Sequence, residues 1–418
     1  MAELADVAAT TQAPTDAELL ERFRPVFARI AEGAIEREQA RQLPFEQIEW
    51  LREAGFGTVR VPVEYGGLGA TLTQTVRLLI ELGEADSNLP QALRGHFAFV
   101  EGRRRAHDEA SRAWWFEAIT DGVLVGNAMA ERGPETGSTA VVKESADGSL
   151  TLSGTKYYST GTIFADWVIT SAKLDGEHVT VLVPTTARGV TRVDDWAGFG
   201  QRMTGSGTTV FESVVVKPEH IIRLTTDQAM EHASTVAFFQ TVLMSALAGI
   251  SRAVLRDAVA FVRPRTRHFG VVGASSPRAD PLVQRVVGRL SSLSFSAESN
   301  VLAVAAKLDA IDEAREAGVE TDEVHVQAAL AAFRAQQIVL PTVLEATTLL
   351  FEVGGASATD TDRVLDRHWR NARTIASHNP AISREQAIGD YELNDVVPVA
   401  GWVRATLARR AEAETQAG

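Results

Sequence analysis

This chain of 418 residues predicts an α+β fold of three consecutive units: helical, then all-β, then helical again. Three observations carry that expectation. Over residues 16–121 and 226–418 apolar side chains recur every three or four positions, the spacing of helices with a buried face. Over residues 122–225 short β-branched runs are cut by Gly, Asp and Pro, the texture of a small barrel or sandwich. A chain this long also exceeds one hydrophobic core, so several packed units are expected.

Residues 1–15 are polar and rich in Ala and Thr, with no basic flank before an apolar core; they read as a disordered terminus, not a signal peptide. In the N-terminal helical domain, residues 55–57 and 64–69 mark glycine turns. Leu78, Leu79 and Leu82 share a helix face, and their helix is expected to end near Asp86-Ser87-Asn88. In the middle domain strands are expected at 140–143, 150–152, 167–171, 179–183, 208–211 and 214–216. In the C-terminal domain Val236, Phe239, Leu243, Leu247, Ile250 and Val254 trace the buried face of a first helix. Further helices at 281–316, 321–351 and 360–376 complete an expected four-helix bundle. The most apolar window, 236–250, is broken by Gln240, Thr241 and Ser245 and is shorter than a bilayer span.

Composition narrows the function classes. A hydrophobic content of 45% with 23% charged residues is that of a soluble globular protein, and a cytoplasmic location is expected. The net charge is −13 and the Lys and Arg residues are dispersed, which argues against nucleic-acid and membrane partners. No cysteine is present, so disulfides, thiolate catalysis and cysteine-ligated metal centres are excluded, and no metal is expected.

Six segments carry the chemistry. Arg370-Asn371-Ala372-Arg373-Thr374-Ile375-Ala376-Ser377-His378-Asn379-Pro380 pairs two arginines with a histidine and an amide. Leu152-Ser153-Gly154-Thr155-Lys156-Tyr157-Tyr158-Ser159-Thr160-Gly161 offers short hydroxyls at a turn, and Ala165-Asp166-Trp167 follows it. Gly126-Asn127-Ala128-Met129-Ala130-Glu131 sets an amide beside small residues; Asn127 there also fits a buried amide closing a loop. The glycines of residues 195–209 are equally those of a plain turn, and their spacing is not the dinucleotide fingerprint. Arg263, Arg265 and Arg267 supply the forked, permanently charged donors that phosphate requires. Phe351-Glu352-Val353-Gly354-Gly355-Ala356 can bring backbone close to a nucleotide or simply end a helix.

Taken together these segments resemble the acyl-CoA dehydrogenases, and the resemblance implies that family's fold. In the family, the segment matching Arg370–Pro380 carries a catalytic glutamate at the position held here by Asn379. An amide has no basic lone pair near neutral pH and cannot take an α-proton. The family's second position for that base falls on Phe239, which is no base either.

Along nearly its whole length the chain is more similar to the flavin-dependent monooxygenase branch, which contains dibenzothiophene monooxygenase and the SfnB-type sulfur-acquisition oxidoreductases. The shared segments include Val61–Gly67, Ala85–Phe97, Gly126-Asn127-Ala128 and Trp369–Thr374. By position, His96, Asn127, Thr160 and His378 match the branch's active-site His, Asn, Ser and second His. The resemblance implies cofactor contacts from Asn127, Ser159, Thr160, Arg267 (Arg265 second), Glu352, Gly354, Gly355, Arg370 and Arg373. It further implies reduced FMN supplied by a separate NAD(P)H-dependent flavin reductase, with FAD as the alternative, and a homotetramer. Oxygen from O2 would pass through a peroxyflavin, steadied by donors from Asn127 and Thr160, to a small organosulfur or heteroaromatic compound. His96 or His378 would protonate or orient the peroxide. Two other readings stay open: an FAD-dependent acyl-CoA dehydrogenase with an unplaced base, and a non-catalytic binding protein on the same scaffold.

Overall fold

In a computed structural model the described residues are 13–132, 140–223, 229–266 and 276–398. The chain opens with six helices: α1 (Asp16–Glu32), α2 (Ala34–Ala40), α3 (Phe45–Glu53), α4 (Leu72–Ala85), α5 (Asn88–Arg104) and α6 (Glu109–Thr120). Capping boxes start two of them, Thr15 with Glu18 on α1 and Thr71 with Gln74 on α4, each satisfying amides the first turn leaves free. As the sequence predicts, α4 ends at Ala85 with Asp86 as its cap. Helix α5 is buried from Asn88 to Glu101, polar residues included, because the β domain covers one side of it and the C-terminal helices the other.

The middle domain holds β1 (Val125–Ala128), β2 (Val141–Glu144), β3 (Leu150–Lys156), β4 (Trp167–Leu174), β5 (Glu177–Pro184), β6 (Val190–Val193), β7 (Thr208–Val216) and β8 (Ile221–Arg223). They form one sheet in the order β6-β7-β3-β2-β4-β5-β8, with β1 paired parallel to β4. Val142, Val181, Phe211 and Val214, drawn from both halves of that order, share one core, so the sheet curls over itself. The two runs expected at 208–211 and 214–216 are a single strand, bent at Ser213, where φ is +50° and the amide donates to Ser153 Oγ at 3.0 Å.

The last helices are α7 (Ala229–Val262), α8 (Pro281–Glu316), α9 (Asp322–Leu349), α10 (Asp366–Ala376) and α11 (Ala381–Asn394). Helices α7, α8 and α9 pack on one another, and α4 and α10 close the sides. The helix expected from residue 360 begins only at Asp366, because Val364 turns left-handed at φ +49°. One expectation is corrected outright. The segment Ala233–Val262 of α7 is long and apolar enough, by length and composition, to cross a membrane. It lies inside the bundle with 83% of its most apolar window buried, apolar all round because helices surround it.

A buried ion cluster ties the two helical domains together. Arg60 donates to Glu101 of α5 at 2.6 Å and to Asp312 of α8 at 2.7 Å, and Arg104 reaches Asp312 at 2.9 Å. These contacts fix α5, which carries part of the site, against α8.

Candidate active site

A cavity of about 560 Å³ opens where α5, α10, β1, the turn after β3 and the loop between β6 and β7 meet. That size is typical of small-molecule and cofactor sites, roughly 300–1,000 Å³. Among the described residues that line it there is no Asp or Glu, and Arg94 is the one permanently charged group, in a chain of net charge −13.

The loop from Asp194 to Gly207 forms one wall and is pinned at several points. Arg41 pairs with Asp194 through two contacts of 2.8 Å and donates to the Trp196 carbonyl at 3.0 Å. Asp195 accepts from the Thr208 amide at 2.7 Å and its hydroxyl at 2.6 Å. Arg370 donates to the Phe199 carbonyl at 3.0 Å, and the Gln201 amide donates to Asn371 Oδ1. Trp196 and Phe199 are thereby presented to the cavity on a fixed backbone. The opposite turn is held by Gly161, whose φ is +76° and where an added Cβ would lie 1.9 Å from the Ala92 carbonyl of α5.

Thr160 ends a chain of hydroxyls. Its Oγ1 lies 2.7 Å from Ser206 Oγ, which lies 2.7 Å from Thr204 Oγ1, and Thr204 Oγ1 donates to the Gln201 carbonyl at 2.9 Å. A carbonyl only accepts, so each hydroxyl in turn spends its proton toward Gln201. Thr160 therefore offers the cavity a lone pair. This reverses the expected donor role of Thr160. Asn127, on β1, reaches the same cavity, and its Oδ1 is buried with no partner among the described residues; so are Gln91 Oε1 and Gln201 Oε1. Three amide oxygens on residues that line one cavity, without a partner among the described residues, are acceptors that a bound donor would satisfy.

At the far end Arg94 of α5 meets His378. Arg94 Nη2 lies 3.1 Å from His378 Nε2. Guanidinium has no acceptor, so Nε2 accepts and the ring proton sits on Nδ1. A ring whose Nε2 accepts from a guanidinium is neutral; desolvation on its Arg94 side and then the Arg94 charge hold it below its ordinary value, although the side chain is exposed elsewhere. The Arg94 charge also lies 5.2 Å from the centre of the Phe239 ring. Asn379 is turned away and donates to Gln240 Oε1 at 2.9 Å. Both base positions of a dehydrogenase thus converge here, and one amide and one phenyl ring occupy them.

The structure brings Asn127, Thr160 and His378 to one cavity and leaves other expected residues elsewhere. His96 is 2% exposed; its Nε2 donates to the Gly57 carbonyl at 2.9 Å and its Nδ1 accepts from the Val125 amide at 3.3 Å. Both nitrogens are spent on backbone, so His96 anchors the strand that carries Asn127 and is not placed to protonate a peroxide. Arg370 is neutralised by Glu38 at 2.6 Å and Asp366 at 2.7 Å, which leaves it a riveting role instead of a phosphate contact. Glu352, Gly354 and Gly355 lie at the end of α9, where an added Cβ on Gly354 would overlap the Phe261 ring, and none lines the cavity. Ser159 Oγ is buried beside Thr160 with no partner. Arg373 is exposed on α10 one residue from the lining Thr374, and among the described residues it has no carboxylate partner. Arg267 lies outside the described residues.

Sequence reasoning passed over Gln91, Arg94 and the Ser206–Thr204 relay. One signal was available: Asn88, Gln91 and Arg94 recur every three residues along a helix whose neighbours are mostly apolar, a polar stripe where a buried helix should have none.

The model for the acyl-CoA dehydrogenase N-terminal domain matches residues 14–122, and that for the C-terminal domain matches residues 241–381. Dibenzothiophene monooxygenase of Mycolicibacterium goodii is 26% identical over 96% of this chain and 99% of its own length. A probable FMNH2-dependent monooxygenase, SfnC of Pseudomonas putida, is 27% identical over 90% of this chain and 94% of its own. Among solved structures, FMN-bound TdsC from Paenibacillus sp. A11-2 superimposes with a TM-score of 0.85 and 25% identity, over 92% of this chain and 100% of that one.

Proposed function

From the membership of this chain in the acyl-CoA dehydrogenase superfamily, as a flavin-dependent monooxygenase that uses FMN, we propose a two-component cycle. A separate NAD(P)H-dependent reductase delivers FMNH2, and a small organosulfur or heteroaromatic compound is oxygenated through a peroxyflavin, in a homotetramer. When bound, reduced FMN supplies two electrons and two protons, so that one oxygen atom of O2 enters the substrate and the other leaves as water.

The observation that carries the reading is the replacement of both bases. With Asn379 bound to Gln240 and Phe239 beneath Arg94, no carboxylate among the described residues lines this end of the cavity, and the His378 lone pair is taken by Arg94, so no base stands free there to take an α-proton from an acyl thioester. The same cavity keeps the features that suit a flavin. Asn127 offers an amide to the ring edge, and Thr160 offers a lone pair, the complement of the N–H that N5 carries only in the reduced ring. Trp196 and Phe199 give the cavity an aromatic wall against which a flat ring can pack. Arg373, exposed on α10 beside the lining Thr374, would meet the phosphate. His378 orients Arg94 through Nε2 and keeps its Nδ1 proton.

The test is to mix the protein with photoreduced FMN under argon, admit O2 and follow absorbance. A transient distinct from free-flavin reoxidation, with oxygenated product from a sulfide, sulfoxide, sulfone or heteroaromatic, is the expected result. Featureless reoxidation with no product from any of them sinks the proposal, as does bleaching of bound flavin by acyl-CoA in the absence of O2. In His378→Ala the transient is expected to decay faster, because Arg94 loses the acceptor that fixes it.

A further inference from the structure

The charge at the far end of the cavity has no counter-ion. Arg94 is 7% exposed, yet among the described residues no carboxylate lies within 4.0 Å of it, unlike Arg37, Arg60 and Arg367, which are buried with acidic partners. Its one polar partner is a neutral ring nitrogen, and its Nε is buried without any. Burial with nothing to offset it pushes the guanidinium down to about 10. A second cation stands behind His378: Arg384 donates to Gln336 Oε1 at 2.5 Å, and it too has no carboxylate partner among the described residues. Keeping an unpaired cation out of water is costly, and an anion drawn into the cavity removes that cost.

We propose that this cavity takes a substrate with a small oxyanion head group, a sulfinate, sulfonate or carboxylate, docked on the forked donors of Arg94. The recognition follows from what is there: guanidinium matches a two-oxygen anion bidentately, Phe239 backs its flat face, and the absence of acidic lining residues leaves the attraction unopposed. Gln91, three residues before Arg94 on α5, lines the same cavity, and a further oxygen of the head group would take its Nε2–H, since Oε1 only accepts. The proposal deepens the monooxygenase reading and rests on it only for what happens to the bound compound.

The experiment uses ligands that cannot be oxygenated at sulfur, so that binding is read apart from turnover. Methanesulfonate and its neutral isostere dimethyl sulfone are titrated calorimetrically into the protein, both without flavin and loaded with oxidised FMN. Methanesulfonate is expected to bind tighter by about tenfold or more, the worth of one charge-assisted hydrogen bond. Arg94→Met is expected to erase the preference and Arg94→Lys to keep part of it. Equal binding of the two ligands by the unaltered protein overturns the proposal, and needs no variant to fold. So does an Arg94→Met protein that keeps the preference and loses FMN affinity instead, since Arg94 would then serve the flavin. An acetate arm separates carbon from sulfur oxyanions: binding as tight as methanesulfonate assigns the site to carboxylates, weaker binding to sulfur acids. If methanesulfonate is preferred but methanesulfinate is never oxygenated with reduced FMN and O2, the anion site stands and the organosulfur reaction falls.

Discussion

Thr160 depends for its polarity on Ser206, a residue 46 positions along the chain. Remove that oxygen in Ser206→Ala and the Thr160 hydroxyl keeps only a long contact to the Tyr158 carbonyl at 3.4 Å, so its proton can turn toward the cavity and make it a donor. Reduced FMN is then expected to bind more weakly by roughly two- to tenfold, the net worth of one neutral hydrogen bond, about 0.5–1.5 kcal/mol. Oxidised FMN, whose N5 carries no hydrogen, should lose nothing, and the ratio of the two affinities is the measurement. Gly95 offers a second residue-scale test. An added Cβ there would sit 2.5 Å from Asn127 Oδ1, so Gly95→Ala must displace that amide. Misplacement of this kind costs on the order of tenfold to a hundredfold in rate. Turnover should fall by that much while the melting temperature changes little; an unchanged rate removes Asn127 from the site.

At the scale of elements, α5 is the member that cannot shift without losing the site, since it carries Gln91 and Arg94 and anchors His96. Its far end is fixed by the cluster of Arg60, Glu101, Arg104 and Asp312. Cutting Asp312 to Ala leaves Arg60, 2% exposed, and Arg104 to share Glu101 alone, and the loss of the charge-assisted hydrogen bonds to Asp312 costs about 1.5–3 kcal/mol. The urea midpoint of Asp312→Ala should fall accordingly, whereas Arg24→Ala, which breaks an exposed pair with Glu81, should move it by less than about 1 kcal/mol. Most of this scaffold was legible in advance. Period placed α8 to the residue and the end of α4 within one or two, because burial on one face and a polar stop are written locally. Strand β1 was not legible: Val-Gly-Asn-Ala has little strand propensity and is extended only because β4 pairs with it. The site divided the same way. Asn127 and His378 were readable as polar residues at motif positions. Arg94 was not, because its meaning lies in the carboxylate it lacks, and a sequence does not display a missing contact.

For the molecule as a whole, the buried histidines set how it meets acid. His96 and His368 are both held down to about 4, chiefly by burial, far below the ordinary value near 6.5. His96 is locked by two backbone groups, and His368 Nε2 donates to Asp257 at 2.9 Å, beside the Arg367 charge. In the folded chain these rings stay neutral down to about pH 4, whereas in the unfolded chain they take protons from about pH 6.5 downward. Between those limits the unfolded state binds more protons, so stability falls as pH falls; above pH 6.5 the contribution is complete. His220 and His325 are held below their ordinary value as well and act with the same sign. Asp257 is held low through His368 and Arg367, and its contribution is lost only below the unfolded carboxylate value, beneath this window. Near pH 5 each fully buried ring adds close to one proton of difference, a slope of about 1.4 kcal/mol per pH unit, and by pH 4 each has cost on the order of 3 kcal/mol. His378, which lines the open cavity, is left out of that sum. Urea unfolding at intervals from pH 7 to pH 4 should therefore show a steep loss of stability. His368→Gln is expected to unfold more easily at pH 7, yet to lose about one proton from the slope. A variant with the full slope would place the acid sensitivity in the carboxylates instead of the histidines.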